Sequence, residues 1–261
     1  MTLILVSVLL SFGIKALPES LSLSALARLG YGAVDPHTII RWDIDPTSTI
    51  ENILIANLAQ PILSFLYFSY NGLFTCMLLG YEWASFAHHR KGLRVSRAPS
   101  GAQRSTYFLQ LPYRFALPLM VLSGVLHWLV SQSIFLVAID VYDSDGTNEY
   151  YDSVKTCGYS PIAIISVLVL GIFMVLAGLA FGFVPFKSGM NLAGSCSAAI
   201  SAACHNGELD GIDGHCAARE EVKWGVVGRS LDGVGHCAFS DRDVEFPRKG
   251  EMYAGVKSRA R

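Results

Sequence analysis

Cysteine and histidine side chains are neighbours at several places near the C-terminus of this 261-residue chain. The adjacent pairs are Cys204-His205, His215-Cys216 and His236-Cys237. Thiolate and imidazole are common ligands of zinc in proteins. A zinc site is therefore one alternative for this region, with Cys204, His205, His236 and Cys237 as its candidate ligands, whereas the prediction that we adopt is no cofactor.

The same spacing also fits a compact tail of reduced cysteines without a metal. It differs from the C-x2-C pattern of structural zinc sites, and two adjacent residues seldom both bind one ion. A Cys-His nucleophile would need an orienting group and an oxyanion hole, and the tail has no motif for either. Phosphate-binding loops, HExxH, GxSxG and EF-hand patterns are also missing from the sequence. We predict that the protein is not an enzyme.

A second set of polar residues is spaced to share one face of a helix. Its members follow each other at intervals of three or four residues: Asn57, Gln60, Ser64, Tyr67, Asn71 and Thr75. Glu82 lies seven residues beyond Thr75, on the same face. Polar groups are unfavourable in hydrocarbon unless they face protein or water, so we expect this polar stripe to point inward. It either lines a pathway or ligand site or forms hydrogen bonds between helices.

His127 is the one histidine within the long apolar runs of the chain. Ser123 and Ser131 lie four residues on either side and share its helical face. A proton relay, a metal ligand and a hydrogen-bonded packing residue are the roles open to it. The candidate binding or pathway-lining residues are Asn57, Gln60, Ser64, Asn71, Glu82 and His127.

Three runs without charged side chains must position these residues: 52–81, 115–139 and 161–186. The last two would be about 37–39 Å long as helices, enough to cross a hydrocarbon core of about 30 Å. The run "TLILVSVLLSFGI" is shorter and is interpreted as a truncated first helix, with the true start of the functional unit upstream. We predict an all-α membrane helix bundle with about four transmembrane helices.

Basic residues determine the predicted orientation. The 84–114 loop contains six Lys or Arg residues, and the 140–157 loop contains one beside five acids. The first loop is therefore predicted in the cytosol and the second outside. The predicted layout is a first helix at 1–17, an extracytoplasmic segment at 18–50, a three-helix membrane region at 51–187 and a cytosolic tail at 188–261. The lipid bilayer is sufficient as a partner for the basic loop, and we predict no nucleic-acid partner.

Two details of the outer and tail segments add expectations. Cys157 is the only cysteine on the predicted outer side, so we expect its disulfide partner in another subunit or upstream. In the tail, "VKWGVV" and "HCAFS" are predicted as the strands of a small β-hairpin. Because an isolated hairpin is marginal in water, it must dock on the membrane domain or on a partner.

Several stretches together are similar to one known family: "NILIANLAQPILSFLYFSYNGLFTCMLLGYEWASFAHHRKGLRVS", "GAQRSTYFLQLPYRFALPLM", "HWLVSQSIFLVAIDVY" and "GHCAFS". They resemble the C-terminal part of filamentous-fungal multi-pass membrane proteins of the DUF6536 type, a domain of unknown function. The likeness covers most of residues 50–255. It implies longer family members with further membrane helices upstream, and it implies no activity, substrate or site residue.

These observations lead to two functional hypotheses. The first is a non-enzymatic multi-pass membrane protein that is transport-related or scaffolding, with a cytosolic C-terminus. Other membrane helices, from upstream sequence or from a homo-oligomer, would then cover the polar stripe. The alternative is a membrane sensor whose Cys/His tail responds to a metal or to redox state. The sequence does not distinguish the plasma membrane from an endomembrane.

Overall fold

The computed structural model describes residues 2–15, 23–28, 30–40, 49–140, 142, 145–146, 154–187, 189–204 and 217–254. The helices are α1 (Thr2–Lys15), α2 (Leu23–Arg28), α3 (Thr49–Asn57), α4 (Ala59–Ser85), α5 (Tyr113–Ser133), α6 (Pro161–Gly182) and α7 (Ser197–Cys204). The strands are β1 (Ile39–Ile40), β2 (Lys91–Gly92), β3 (Arg94–Val95), β4 (Arg104–Ser105), β5 (Ile134–Ile139), β6 (Val154–Tyr159), β7 (Glu221–Arg229) and β8 (Gly235–Ser240). A single 3-10 turn, Pro36–Thr38, precedes β1.

The chain divides into two compact units. Unit 1 consists of Met1–Asn71 and Arg114–Phe181, and unit 2 consists of Gly72–Tyr113 and Gly182–Arg261. Each unit is therefore assembled from two separate stretches of chain. The long helix α4 begins in unit 1 and ends in unit 2.

Three helical segments of the described chain are long and apolar enough to cross a membrane: Thr49–Ser85, Tyr113–Ser133 and Pro161–Gly182. Their outward faces carry large apolar side chains, such as Phe65, Phe68 and Val169, which are 72%, 70% and 64% exposed. Outward apolar faces on long helices are typical of contact with lipid. The helix α1 has 14 residues, fewer than the about 20 that a spanning helix needs, so a fourth crossing stays a prediction.

The first long apolar segment is interrupted at Leu58, between α3 and α4. Pro61 explains the position of the break. Its nitrogen carries no hydrogen and cannot bond the carbonyl four residues earlier, which belongs to Asn57. The side-chain amide of Asn57 bonds backward to the carbonyl of Ile53 at 2.8 Å.

The prediction of an all-α helix bundle is correct only in part: the structure has three helical segments long and apolar enough to span a membrane, but it also contains three sheets. The predicted helix 115–139 ends at Ser133, and its last six residues form β5. These residues are rich in β-branched side chains, which fit a pleated sheet. The strand β5 pairs along its whole length with antiparallel β6. The first residues of β6 are the last residues of the predicted outer loop 140–157.

In unit 1, β6 is the central strand of the sheet β1-β6-β5. Side chains attach the strands to the preceding segments: the Thr156 hydroxyl donates to the Ile40 carbonyl at 2.6 Å. The buried Asn52 of α3 donates to the Lys155 carbonyl at 2.9 Å. The helix α3 thereby covers the sheet. The strand β1 lies within the predicted extracytoplasmic segment 18–50, and β6 begins in the predicted outer loop 140–157.

Cys157 lies in the middle of this sheet with 0% of its surface exposed. Its sulfur is 3.4 Å from the carbonyl oxygen of Asn52, to which the thiol donates a hydrogen bond. The expected disulfide to another subunit or an upstream segment is therefore not favoured, because an outside thiol cannot reach this sulfur without opening the sheet. Burial raises the pKa of the Cys157 thiol above its usual range.

We expect Cys157 to resist alkylation in the folded protein, because the reactive thiolate is rare and the sulfur is covered. In a maleimide time course read by peptide mass spectrometry, the exposed Cys196 should react quickly. Cys157 should react only after denaturant is added. The thiolate forms more readily in the unfolded chain than in the folded one. The Cys157 thiol therefore makes its full contribution to the free energy of unfolding below the ordinary thiol pKa of about 8.5, and this contribution is lost as the pH rises further. Equal reaction rates of the two cysteines in native protein would contradict this placement.

Unit 2 contains the predicted hairpin, which is confirmed as β7 and β8 with Trp224 opposite Phe239. Its docking partner is the basic loop that follows α4. The strand β2 of that loop pairs antiparallel with β7, with Lys91 opposite Val222. The loop and the tail therefore form the single sheet β2-β7-β8.

A common hydrophobic core holds the loop and the tail together. Its buried members are Phe86, Ala87, Met190, Ala203, Val222, Trp224 and Phe239. The ring of Phe239 meets Trp83 and Phe86 edge to face at 5.5 and 5.3 Å. The backbone N–H of Trp224 also donates to the carbonyl of Phe86 at 3.0 Å.

The basic loop folds back on itself so that β3 and β4 run parallel, with Arg94 opposite Arg104. This requires close approach of the backbone at Gly92, where any Cβ would collide with the carbonyl of Ala102. Gly101 turns the chain with a φ of 62°, in the left-handed region that favours glycine. The loop is thus an ordered part of unit 2.

Candidate functional site

The polar stripe makes its clearest contact between α4 and α5 in unit 1. Gln60 Oε1 is 2.6 Å from His127 Nδ1. Gln60 Nε2 donates to the backbone carbonyl of His127 at 3.2 Å. An amide oxygen only accepts hydrogen bonds, so Nδ1 of His127 must carry the proton. Both ends of the Gln60 amide are therefore used by a single residue of the neighbouring helix.

The inward orientation of the stripe agrees with burial along α4. Gln60, Ser64 and Asn71 are half-buried, whereas Phe65 and Phe68 on the other faces are exposed. Asn57 differs, because it is exposed and bonds within its own helix. Of the two interpretations of the stripe, hydrogen bonding between helices is the one that the Gln60–His127 contact supports.

A second polar cluster in unit 1 was not predicted from sequence. The Tyr31 ring stacks on Trp128 of α5 with centroids 5.7 Å apart. Its hydroxyl lies 2.8 Å from Ser166 Oγ of α6. Since the Ser166 hydroxyl donates to the carbonyl of Ile162 at 2.9 Å, Tyr31 is the donor in this bond. Tyr31 and Ser166 are 135 positions apart, so no local spacing could have indicated the contact.

The helix α4 also bonds to α6. The Tyr70 hydroxyl donates to the backbone carbonyl of Met174 at 2.8 Å. Gly178, one turn further along α6, lets the Tyr70 ring approach, since a Cβ there would lie 3.3 Å from it. The spanning helices of unit 1 are thus joined by hydrogen bonds from α4 to both α5 and α6.

A double-mutant cycle should show that Gln60 and His127 act as a pair. Gln60→Leu leaves the Nδ1–H of His127 without its acceptor, and His127→Leu leaves the Gln60 carbonyl oxygen without its donor. We expect each change to lower unfolding stability in detergent, and the double variant to lose less than the sum by about 0.6–1.7 kcal/mol. Asn57→Leu is the control, because its amide bonds only within α3. Strict additivity would show that the two residues are not coupled.

Glu82 lies near the end of α4, within unit 2, and neutralises part of the basic loop. Arg94 Nε is 2.9 and 3.0 Å from its two carboxylate oxygens. Arg104 Nη2 is 2.9 Å from one of them. Arg94 also donates to the hydroxyl of Tyr107 at 2.5 Å, and its guanidinium lies 3.9 Å from the centre of that ring. These contacts favour an anchoring role for Glu82 over a pathway-lining role.

The candidate metal ligands are only partly described. Cys204 is exposed at the end of α7, and Cys237 and His236 are half-buried on β8. His205 lies outside the described residues. Within the described part of the chain, no three His, Cys, Asp or Glu side chains are grouped to hold a metal. Burial raises the pKa of Cys237, which disfavours the thiolate that zinc requires.

Comparison with known families gives one match. A family model described as a domain of unknown function (DUF8419) matches residues 1–234, which include every element from α1 to β7. No curated protein and no solved structure matches the chain. The expectation of a DUF6536-type family is therefore wrong in its name and correct in that the family has no assigned function. The filamentous-fungal origin implied by the resemblance stays a prediction.

Proposed function

The chain belongs to the DUF8419 family, and from this premise we propose that it is a multi-pass integral membrane protein acting as a non-enzymatic scaffold. The basic loop and the tail, which together form unit 2, would lie at the cytosolic membrane surface as a folded domain. The family description names no activity, so the support comes from this chain's own residues.

The observation that carries the proposal is the construction of unit 2 from the basic loop and the tail. The two segments share a sheet and a hydrophobic core. Between them the chain passes through α5 and α6, both long enough to span a membrane. Two crossings return the tail to the side of the loop, which is the arrangement that a shared core requires. The excess of Lys and Arg in the loop then favours the cytosolic side.

The contacts in unit 1 support a scaffold more than a transporter. A transport pathway needs polar groups directed at water or substrate. Here the helical polar groups bond to one another, as Gln60 does with His127 and as Tyr70 does with the Met174 carbonyl. The sensor alternative gains no support from Cys237, which packs against the core of unit 2.

Cysteine labelling tests the membrane placement. Single cysteines at the exposed positions Ser100, Asp145 and Asp232 report on the basic loop, the outer segment and the hairpin turn. For this purpose every native cysteine except the buried Cys157 is replaced by serine: Cys76, Cys196, Cys204, Cys216 and Cys237. An impermeant maleimide should label Asp145→Cys on intact cells and the other two only after permeabilisation. Labelling of Ser100→Cys and Asp232→Cys from opposite sides would overturn the proposal.

Reconstitution separates a scaffold from a transporter. Liposomes that contain the protein should have the same proton and potassium permeability as empty liposomes. If the protein raised permeability and His127→Leu abolished that increase, the polar contact would belong to a pathway. Transport would then replace scaffolding as the function.

A further inference from the structure

Cationic side chains gather in unit 2 just beyond the ends of two spanning helices. Lys187 Nζ is 3.0 Å from His89 Nε2, joining the chain after α6 to the chain after α4. An ammonium group only donates, so His89 Nε2 accepts this bond and is unprotonated. Lys187 has the largest effect in lowering the pKa of His89, followed by burial and then by Lys91, His88 and Lys223. The lysines that act on His89 are cations, and no carboxylate is among the groups that shift its pKa.

The acidic side chains close by are committed to other partners. Glu82 bonds to Arg94 and Arg104, and Asp243 bonds to Arg90 at 2.8 Å. None of the ion pairs between described residues includes Lys187 or Lys223. Lys91 differs, because its ammonium donates to Ser85 Oγ at 2.7 Å and the Glu82 carboxylate acts on it. The cluster of His89, Lys91, Lys187 and Lys223 therefore owes its uncompensated positive charge to Lys187 and Lys223, and an anion from outside the chain could neutralise that charge.

Apolar side chains adjoin this cation cluster on the surface of unit 2. Phe183 and Val184, four and three residues before Lys187, are 84% and 53% exposed. Leu79, on the last turns of α4, is also exposed. Apolar side chains followed by a cationic tip are typical of the boundary between acyl chains and headgroups. In the proposed membrane orientation, this order of residues would position the cluster at headgroup depth.

We propose that His89, Lys91, Lys187 and Lys223 bind the phosphomonoester headgroup of an anionic lipid, as in phosphatidic acid. A phosphomonoester carries a charge of about −1.5 to −2 and three acceptor oxygens, which suit several ammonium donors. A phosphodiester headgroup such as that of phosphatidylserine has one negative phosphate charge, and the charges of its serine carboxylate and ammonium cancel. The leaflet assignment rests on the proposed function; the binding chemistry rests on the cluster alone.

Native mass spectrometry of the full chain in neutral detergent tests the proposal. The probes are dioleoyl phosphatidic acid, dioleoyl phosphatidylserine and inorganic phosphate. We expect phosphatidic acid to bind about tenfold more tightly than phosphatidylserine. Lys187→Gln and Lys223→Gln should each weaken phosphatidic acid binding about fivefold, as expected for one lysine near an anionic surface. Lys249→Gln, which removes an exposed charge elsewhere in unit 2, should leave binding unchanged.

Three results would overturn the proposal. Equal binding of the two lipids would show general charge attraction, and an equal effect of Lys249→Gln would show that the cluster is not the site. Displacement of the lipid by millimolar inorganic phosphate would show a site for soluble phosphate. Lipid binding measured in detergent does not depend on the orientation of the protein in a membrane. If the lipids bind without selectivity while the cysteines label as expected, only this inference is refuted. Incorrect labelling with intact selectivity would refute only the membrane orientation.

Discussion

Phe239→Ala is expected to separate the tail from the basic loop. The Phe239 ring is buried and contacts Trp83 of α4 and Phe86 of the loop, so its removal leaves a cavity between the two segments of unit 2. Loss of a buried phenylalanine side chain typically destabilises a fold by about 3–5 kcal/mol. For a unit as small as this one, that loss is comparable to the whole stability of many domains.

Limited trypsin digestion of the full chain in detergent would detect the separation. Lys223 lies within β7 and should be protected from cleavage in the native sheet. In Phe239→Ala we expect rapid cleavage after Lys223. Leu231→Ala is the matched control. Leu231 lies fully exposed in the hairpin turn, so the substitution removes apolar side-chain atoms without opening the core. Equal protection of both variants would show that the hairpin is held by something other than this core.

Glu82→Gln should produce the second largest loss. The substitution keeps the size of the side chain but removes the charge shared by Arg94 and Arg104. The Arg94 and Glu82 side chains are only 21% and 20% exposed, so solvent compensates little. Hydrogen bonds to charged groups contribute about 1.5–3 kcal/mol, and we expect a loss of about 2–3 kcal/mol in unit 2.

Hydrogen exchange of the Arg104 amide reports directly on this network, since that N–H donates to the Leu93 carbonyl at 2.8 Å. We expect faster exchange there in Glu82→Gln and no change in Glu220→Gln, whose side chain is exposed. The two variants lose the same charge from the same unit. Identical exchange in both would mean that the Glu82 ion pairs contribute no more than a surface carboxylate does.

Features governed by local pattern could be predicted from the sequence. The length of the runs without charged side chains identified the three segments that could span a membrane. The spacing of polar residues at every third or fourth position identified the inward face of α4. Turn residues between two short β-rich runs identified the hairpin. In each case the deciding information lies within about 30 residues of chain.

Features governed by distant partners could not be predicted. Ile134–Ile139 is as apolar as a helix continuation would be, and only its pairing with β6 makes it a strand. The positive loop was evident, but its attachment to β7 depends on a segment more than 100 residues later. Tyr31 and Ser166 meet across a similar separation. The environment of Cys157 likewise depends on Asn52, which no spacing connects to it.

The two-segment construction of unit 2 fixes an order of events during biosynthesis. The ribosome completes β2 and two of the core residues, Phe86 and Ala87, long before it reaches β7 and β8. In the proposed topology, α5 and α6 are inserted into the membrane in between. At about 5–20 residues per second, the nascent loop waits on the order of ten seconds with the Phe86 surface and the β2 edge uncovered. In the proposed topology, a correctly folded unit 2 is therefore evidence that both preceding helices have already entered the bilayer.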